Sequence, residues 1–258
     1  MTETVVDTAQ GAIAVVSHGW PGDGVPIVLL HSLGTSSRLW ERTIPVLRAA
    51  GRPVVTLDFY GHGNSADPNW VPSIIEHGDA VESVLAALDI GRHHLAGTSL
   101  GGIVGVELAS RPDNRIEAVV LNGTPGWHLE SQRMARLRGL SLRLGRSGLP
   151  TADTTPGGTV RPFDDAERKE RSADLVRCGP WFLNTMWAIA SYDLAARLEL
   201  IPTRSLVLMG DGDFHLATSY VLRERIRRAT LAVIGNAGHL TPYDAPEEVG
   251  RHLLDFFR

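Results

Sequence analysis

Short apolar runs recur along this chain, separated by amphipathic stretches. Those at 26–30, 53–57, 93–97 and 116–121 read as strands, the continuous run at 26–30 as one buried on both faces, and an earlier strand is expected at 13–17. Between them the spacing predicts a helix at 37–50, closed by Gly51, and another at 72–88, ended near Gly91. A third, at 100–110, stops before Arg111-Pro112 because the residue ahead of a proline avoids helical backbone. Strand and helix in alternation imply an α/β fold, a mostly parallel sheet flanked by helices.

The alternation breaks once. From 126 to 198 no strand pattern appears, and helical stretches at 130–146, 164–177 and 181–192 are separated by loops rich in Gly, Pro and Thr. Strands resume at 204–209 and 230–234, and 246–257 reads as a closing helix. The expected organisation is therefore a core in two parts, 1–125 and 199–258, with a helical cap or lid at 126–198 inserted between them.

Composition narrows the function. With 258 residues, 43% hydrophobic and 21% charged, the chain can bury one large core. A formal charge of -4 supplies no attraction to nucleic acid or an anionic membrane surface. The single cysteine, Cys178, rules out an intramolecular disulfide, which fits a reducing compartment, and it reads as a small apolar helix residue. The first residues lack the basic and apolar regions of a secretory signal, and no apolar run is long enough to span a bilayer. A cytoplasmic protein with a small-molecule substrate is expected, its oligomeric state left open.

Gly97-Thr98-Ser99-Leu100-Gly101 lies between a predicted strand and a predicted helix. A nucleophilic serine needs such a turn, sharp and strained, to hold its hydroxyl clear of the backbone. The flanking glycines relieve crowding there, and the following helix points amides at a developing oxyanion. Ser99 is the candidate nucleophile.

The chain has ten histidines, and His239 stands apart because Gly238-His239 follows the last predicted strand. It is the candidate base. Gly210-Asp211-Gly212-Asp213 follows the strand before it; Asp213, further out on the loop, is preferred as the acid that orients the ring, and Asp211 reads as a turn residue. The turn His31-Ser32-Leu33-Gly34 can aim the Leu33 amide at the space before Ser99, where the Leu100 amide would be the second oxyanion donor. No metal-binding His or Cys spacing and no dinucleotide-binding glycine signature is present, so no cofactor is expected.

Together these motifs resemble the α/β-hydrolase superfamily over nearly the whole chain. The resemblance rests on His31-Ser32-Leu33-Gly34 with Trp40, Asp58 with Gly61-His62-Gly63-Asn64-Ser65, the Ser99 pentapeptide, the Asp213 loop, and Gly238-His239 followed by Pro246-Glu247-Glu248-Val249. Within the superfamily the layout is similar to β-ketoadipate enol-lactone hydrolases and related small serine esterases. The resemblance implies hydrolysis of an ester or lactone through an acyl-enzyme. Carbon–carbon hydrolysis, lyase or cyclase chemistry would use the same three residues, and a non-catalytic binding protein would have no need of them.

In the expected lid, Trp127, Trp181 and Trp187, with Phe182, Met186 and Tyr192, suggest an apolar substrate pocket, although a lid packing core would use the same residues. Arg133, Arg136, Arg138, Arg143 and Arg146 read as a solvated face, with a substrate-carboxylate clamp as the other use of one of them. Asp58 and His62 read as braces of the active-site edge, and His31 as a hydrogen-bonding partner of the oxyanion turn.

Overall fold

The computed structural model describes residues 1–126 and 158–258. Among them, eight strands form one sheet: Thr2–Thr8 (β1), Gly11–His18 (β2), Ile27–Leu30 (β3), Val54–Leu57 (β4), His93–Thr98 (β5), Ile116–Asn122 (β6), Arg204–Gly210 (β7) and Ala229–Ile234 (β8). The spatial order is β1-β2-β4-β3-β5-β6-β7-β8. The β1–β2 and β2–β4 pairs are antiparallel, and every pair from β4 to β8 is parallel.

The apolar runs follow from helices on both faces. Val28 and Leu30 of β3 join Leu95, Leu121, Val207 and Met209 in one core, which also takes Val81, Val84, Ile103 and Val104. Ile27 and Leu29 point the other way, to Ala96, Val120, Leu208, Leu47, Val249 and Leu253. Successive strand side chains alternate faces, so a strand covered on both sides is mostly apolar rather than alternating. Each fully buried Val or Leu contributes about 1.5–3 kcal/mol.

The helices among the described residues are Ile44–Ala49 (α1), Ile74–Ala87 (α2), Leu100–Ala109 (α3), Asp165–Cys178 (α4), Trp181–Ser191 (α5), Ala195–Leu198 (α6), Leu216–Arg225 (α7), Thr241–Asp244 (α8) and Pro246–Phe256 (α9). α3 is buried along its whole length, which its lack of a polar face allows. α2 starts at a capping box in which Ser73 Oγ accepts the Glu76 N–H at 3.2 Å and Glu76 returns the bond to the Ser73 N–H at 2.7 Å.

Two expectations need correction. The helix expected at 37–50 is a 3-10 turn at Ser37–Trp40 followed by α1. Pro45 has no N–H to offer the Glu41 carbonyl, and its ring crowds that position, so one continuous helix cannot form. β1 was not expected at all: four of its seven residues are exposed in a row, so it lacks an inward-outward alternation, and it exists because it pairs with β2 along a full hairpin register.

α4 and α5 come between β6 and β7 and bind the core through side chains. Asp174 accepts from Arg38 and from Ser36 Oγ at 3.1 Å. Arg177 reaches the Gly63 carbonyl at 3.0 Å and Asp67 at 2.8 Å. Glu170 accepts the Tyr243 hydroxyl at 2.7 Å. Glu167 is contacted by both Arg42 and Arg161, and the Arg161 guanidinium holds its carboxyl down at about 2.

Candidate active site

Ser99 is the only residue between β5 and α3, and its backbone sits at φ 54, ψ -106. A non-glycine residue there carries strain of about 1–3 kcal/mol. Its N–H donates to the Asn122 carbonyl at 2.9 Å, and the Gly101 N–H donates to the His31 carbonyl at 3.0 Å. The flanking glycines are sterically required. A Cβ on Gly97 would stand 2.1 Å from the Gly101 carbonyl oxygen, and one on Gly101 would stand 2.4 Å from that of Leu30. The Leu100 N–H belongs to the first turn of α3, where helix amides have no intrahelical acceptor.

His239 follows β8 and turns its Nδ1 toward Asp213, 3.2 Å from Oδ1 and 3.1 Å from Oδ2. Asp213 is buried, and its Oδ1 also accepts the His215 N–H at 2.8 Å. Burial pushes the Asp213 carboxyl up, but the His239 charge and hydrogen bond, with the His215 N–H, outweigh it and hold the group below the ordinary value. Asp211 does other work. It is exposed, and its Oδ1 accepts the Ala237 N–H at 3.1 Å; backbone donors from Asn236 and Ala237 hold its carboxyl low. Asp211 therefore pins the turn that leads into His239.

Sequence reasoning missed two neighbours of this pair. The Phe214 ring lies over the His239 ring, centroids 4.5 Å apart at 34°, and the His215 ring meets it edge-on at 5.3 Å. An aromatic residue directly after the outer aspartate was the available signal. Gly123, at the end of β6, also abuts the pair: with φ +53, a Cβ there would stand 3.2 Å from both Asp213 Oδ2 and His239 Nδ1.

The His31–Gly34 turn packs between the strands and the helices after β6. His31 Nε2 accepts the Phe59 N–H at 2.9 Å, so the ring proton sits on Nδ1 and donates to the Ser32 carbonyl at 2.8 Å. Burial pushes His31 down to about 3, which keeps it neutral. Gly34 has φ +66, and a Cβ there would stand 2.9 Å from the Phe182 ring and 3.0 Å from Leu175. Buried Arg171 donates to the Gly34 carbonyl. Leu33 itself is buried at this turn, and Leu100 is fully buried behind the elbow.

Asp58 braces the edge beside them. Its Oδ1 accepts the Ser37 N–H at 2.7 Å and its Oδ2 the Asn64 N–H at 2.8 Å. His62 bonds the Tyr60 carbonyl through Nδ1 at 2.9 Å and faces Cys178 Sγ through Nε2 at 3.3 Å. Burial pushes the Cys178 thiol up to about 12, so it stays protonated and is a poor nucleophile.

His31, His62 and His77 form a buried group, with the His31 and His62 rings 5.2 Å apart and His77 against Phe59 and Tyr60. Burial lowers each to about 3. Between pH 3 and about 6.5 the unfolded chain therefore binds protons that the native rings refuse, so their contribution is full above pH 6.5 and is lost as pH falls. Each ring adds at most about 1.4 kcal/mol of lost stability per pH unit. Neither nitrogen of His77 has a hydrogen-bond partner among the described residues. His77→Phe should thus flatten the stability-versus-pH curve below pH 6 by about one proton. Chemical denaturation at stepped pH measures this, and an unchanged slope would show that His77 is not buried neutral.

Of the expected lid tryptophans, Trp127 lies outside the described residues, as do the arginines at 133–146. Trp181 packs on the Gly61 turn, where a Cβ would come within 2.5 Å of it. Trp187 is half exposed, at 51%. The described helices form no membrane span, and among the described residues no group of three or more His, Cys, Asp or Glu is placed to hold a metal ion.

A mostly parallel sheet in this order, with a serine elbow after β5 and a paired carboxylate and histidine after β7 and β8, defines an α/β-hydrolase fold. The chain belongs to the alpha/beta hydrolase family, whose sequence profile matches residues 27–251. It is similar to 3-oxoadipate enol-lactonase 1 of Acinetobacter baylyi, 27% identical over 257 residues that cover 95% of this chain and 92% of that protein. It is also 29% identical over 246 residues to the dihydrolipoyllysine-residue acetyltransferase component of the acetoin cleaving system of Pseudomonas putida, covering 91% of this chain but only 64% of that longer protein. The solved structure of an enol-lactonase from Burkholderia xenovorans superposes with a TM-score of 0.76 at 23% identity, covering 99% of each chain.

Proposed function

We propose that this enzyme cleaves an ester or lactone of a small, apolar substrate through an acyl-enzyme, with Ser99 as nucleophile, His239 as base and Asp213 as the acid that orients it. The observation that carries this reading is the His239 Nδ1–Asp213 pair at the carboxyl edge of a sheet whose β5 ends in the strained Ser99 elbow. With Nδ1–H held by Asp213, His239 Nε2 is left to take the Ser99 proton as Oγ attacks the acyl carbon. The Leu33 and Leu100 amides receive the oxyanion, each contributing about 3 kcal/mol to the barrier reduction. His239 then protonates the leaving oxygen, and water, activated by the same ring, releases the acid.

Apolar side chains at the oxyanion turn and over the base, Leu33, Leu175, Phe182 and Phe214, support an apolar substrate. The enol-lactonase relative supports a lactone or ester bond. Residues 126–198 are proposed as the lid over this edge, with Trp127, Trp181 and Trp187 as candidate substrate contacts. The proposed setting is cytoplasmic, with no cofactor.

The test is a fluorophosphonate probe followed by a panel of aryl esters and simple lactones. A single adduct on the peptide carrying Ser99, with acid release from the panel, is the expected result. Labelling without ester or lactone turnover would transfer the site to carbon–carbon, lyase or cyclase chemistry. Absence of both would leave a binding protein.

A further inference from the structure

Nucleophile, acid and base stand at the ends of β5, β7 and β8, and β6 separates the first from the other two. The register between Ser99 and His239 must therefore pass through the carboxyl end of β6. Its last residue is Asn122, which is buried, as are the two threonines that it touches. The Asn122 carbonyl accepts the Ser99 N–H at 2.9 Å. Its side-chain Nδ2 donates to Thr98 Oγ1 at 2.9 Å, and its Oδ1 accepts the Thr241 hydroxyl at 2.9 Å. Thr98 immediately precedes the proposed nucleophile, and Thr241 lies two residues beyond the proposed base.

We propose that Asn122 is a positioning residue that sets the spacing between Ser99 and His239 by bonding the nucleophile strand and the base loop with one amide. This rests on the roles proposed for Ser99 and His239. Asparagine suits the task because its amide donates on one side and accepts on the other, at a reach that fits between two short hydroxyl side chains. An aliphatic residue would strand two buried hydroxyls. A glutamine would be one methylene too long for the same pair of bonds. Gly123 reinforces the placement, since it donates its N–H to the Leu208 carbonyl at 2.9 Å and lies against the Asp213–His239 pair. A shift at the end of β6 is therefore felt on both sides of the site.

Thr241→Val removes one bond while keeping the side-chain shape, and Thr241→Ser keeps the hydroxyl. Thr241→Val is expected to lower kcat by roughly 10–100-fold, because sub-ångström to ångström misplacement of a reacting group has effects of this size. KM on the best ester should stay within about twofold, because the bond does not touch substrate. The rate constant for phosphonylation of Ser99 should fall in parallel. Thr241→Ser should recover both rates to within about threefold. Asn122→Ala, where it folds, should lose at least as much as Thr241→Val.

A Thr241→Val enzyme with a lowered Tm but wild-type kcat and phosphonylation rate would show that the bond serves the fold alone and would overturn the inference. So would a Thr241→Ser variant as slow as Thr241→Val. Wild-type protein that resists phosphonylation would instead defeat the nucleophile assignment, and the positioning role with it.

Discussion

Ser99→Ala should reduce kcat by roughly 10⁴-fold or more and leave a folded protein, since removal of a triad nucleophile leaves only oxyanion and binding contributions. The backbone contact that fixes the elbow, from the Ser99 N–H to the Asn122 carbonyl, does not involve the side chain and survives the change. Ser99→Gly should be equally inactive and yet more stable than Ser99→Ala, because φ 54 costs glycine nothing. Activity on the best ester and thermal melts of both variants measure this. Wild-type-like turnover by Ser99→Ala would remove the acyl-enzyme mechanism. Equal Tm values for the two variants would show that the elbow stores no strain.

The alternation that predicted the parallel sheet was legible because each strand from β3 to β7 is covered on both faces. Their residues were mostly apolar, and the helices that cover them had recognisable ends at Gly51 and near Gly91. β1 escaped for the opposite reason: an edge strand exposed in most positions leaves no pattern in the sequence. α8 has only four residues, too few to show a helical period.

At the site, legibility followed the same division between local and distant. Ser99 was visible because backbone crowding demands glycines two positions either side of it, which is a local requirement. His239 and Asp213 were visible because each follows a strand in a glycine-rich loop. Asn122, Thr241, Arg171 and Phe214 were not. Their significance lies in partners far along the chain: Asn122 meets Thr241 and Arg171 meets Gly34 only after the sheet is assembled. A buried amide between a strand and a distant loop has no sequence signature, since asparagine reads elsewhere as a turn residue.

The contacts of α4 also alter what the inserted segment is expected to do. Sequence reasoning offered two uses for its aromatic side chains, a substrate pocket or a packing core. The described helices grip the turn that carries the Leu33 amide: Arg171 holds the Gly34 carbonyl, Phe182 and Leu175 fill the space beside Gly34, and Asp174 binds Ser36 and Arg38. A backbone shift at Gly34 carried to its neighbour Leu33 would move the amide proposed to receive the oxyanion. Substitutions in α4 can therefore act on the chemical step as well as on substrate preference.

Asp213→Asn should lower kcat by roughly 10³–10⁴-fold, whereas Asp211→Asn should cost no more than a few-fold. The two residues are separated by one glycine and by their partners. Asp213 is buried with both oxygens about 3 Å from His239 Nδ1, so an asparagine there removes the charge that stabilises the imidazolium and can present an N–H that favours the wrong tautomer. Asp211 is exposed and accepts the Ala237 N–H, a bond an asparagine oxygen can also accept. The pH dependence separates them further. The Asp213 carboxyl is held below its ordinary value, so its ionised form stabilises the native state above pH about 4, and that contribution disappears as pH falls through the native value. Asp213→Asn should lose that contribution where the carboxyl is ionised, and activity with it. Steady-state kinetics and denaturant melts of both variants across pH 3–8 measure this. Equal losses of kcat, or a larger loss at Asp211, would move the role of acid one turn inward and require the His239 ring to rotate away from the carboxylate it now faces.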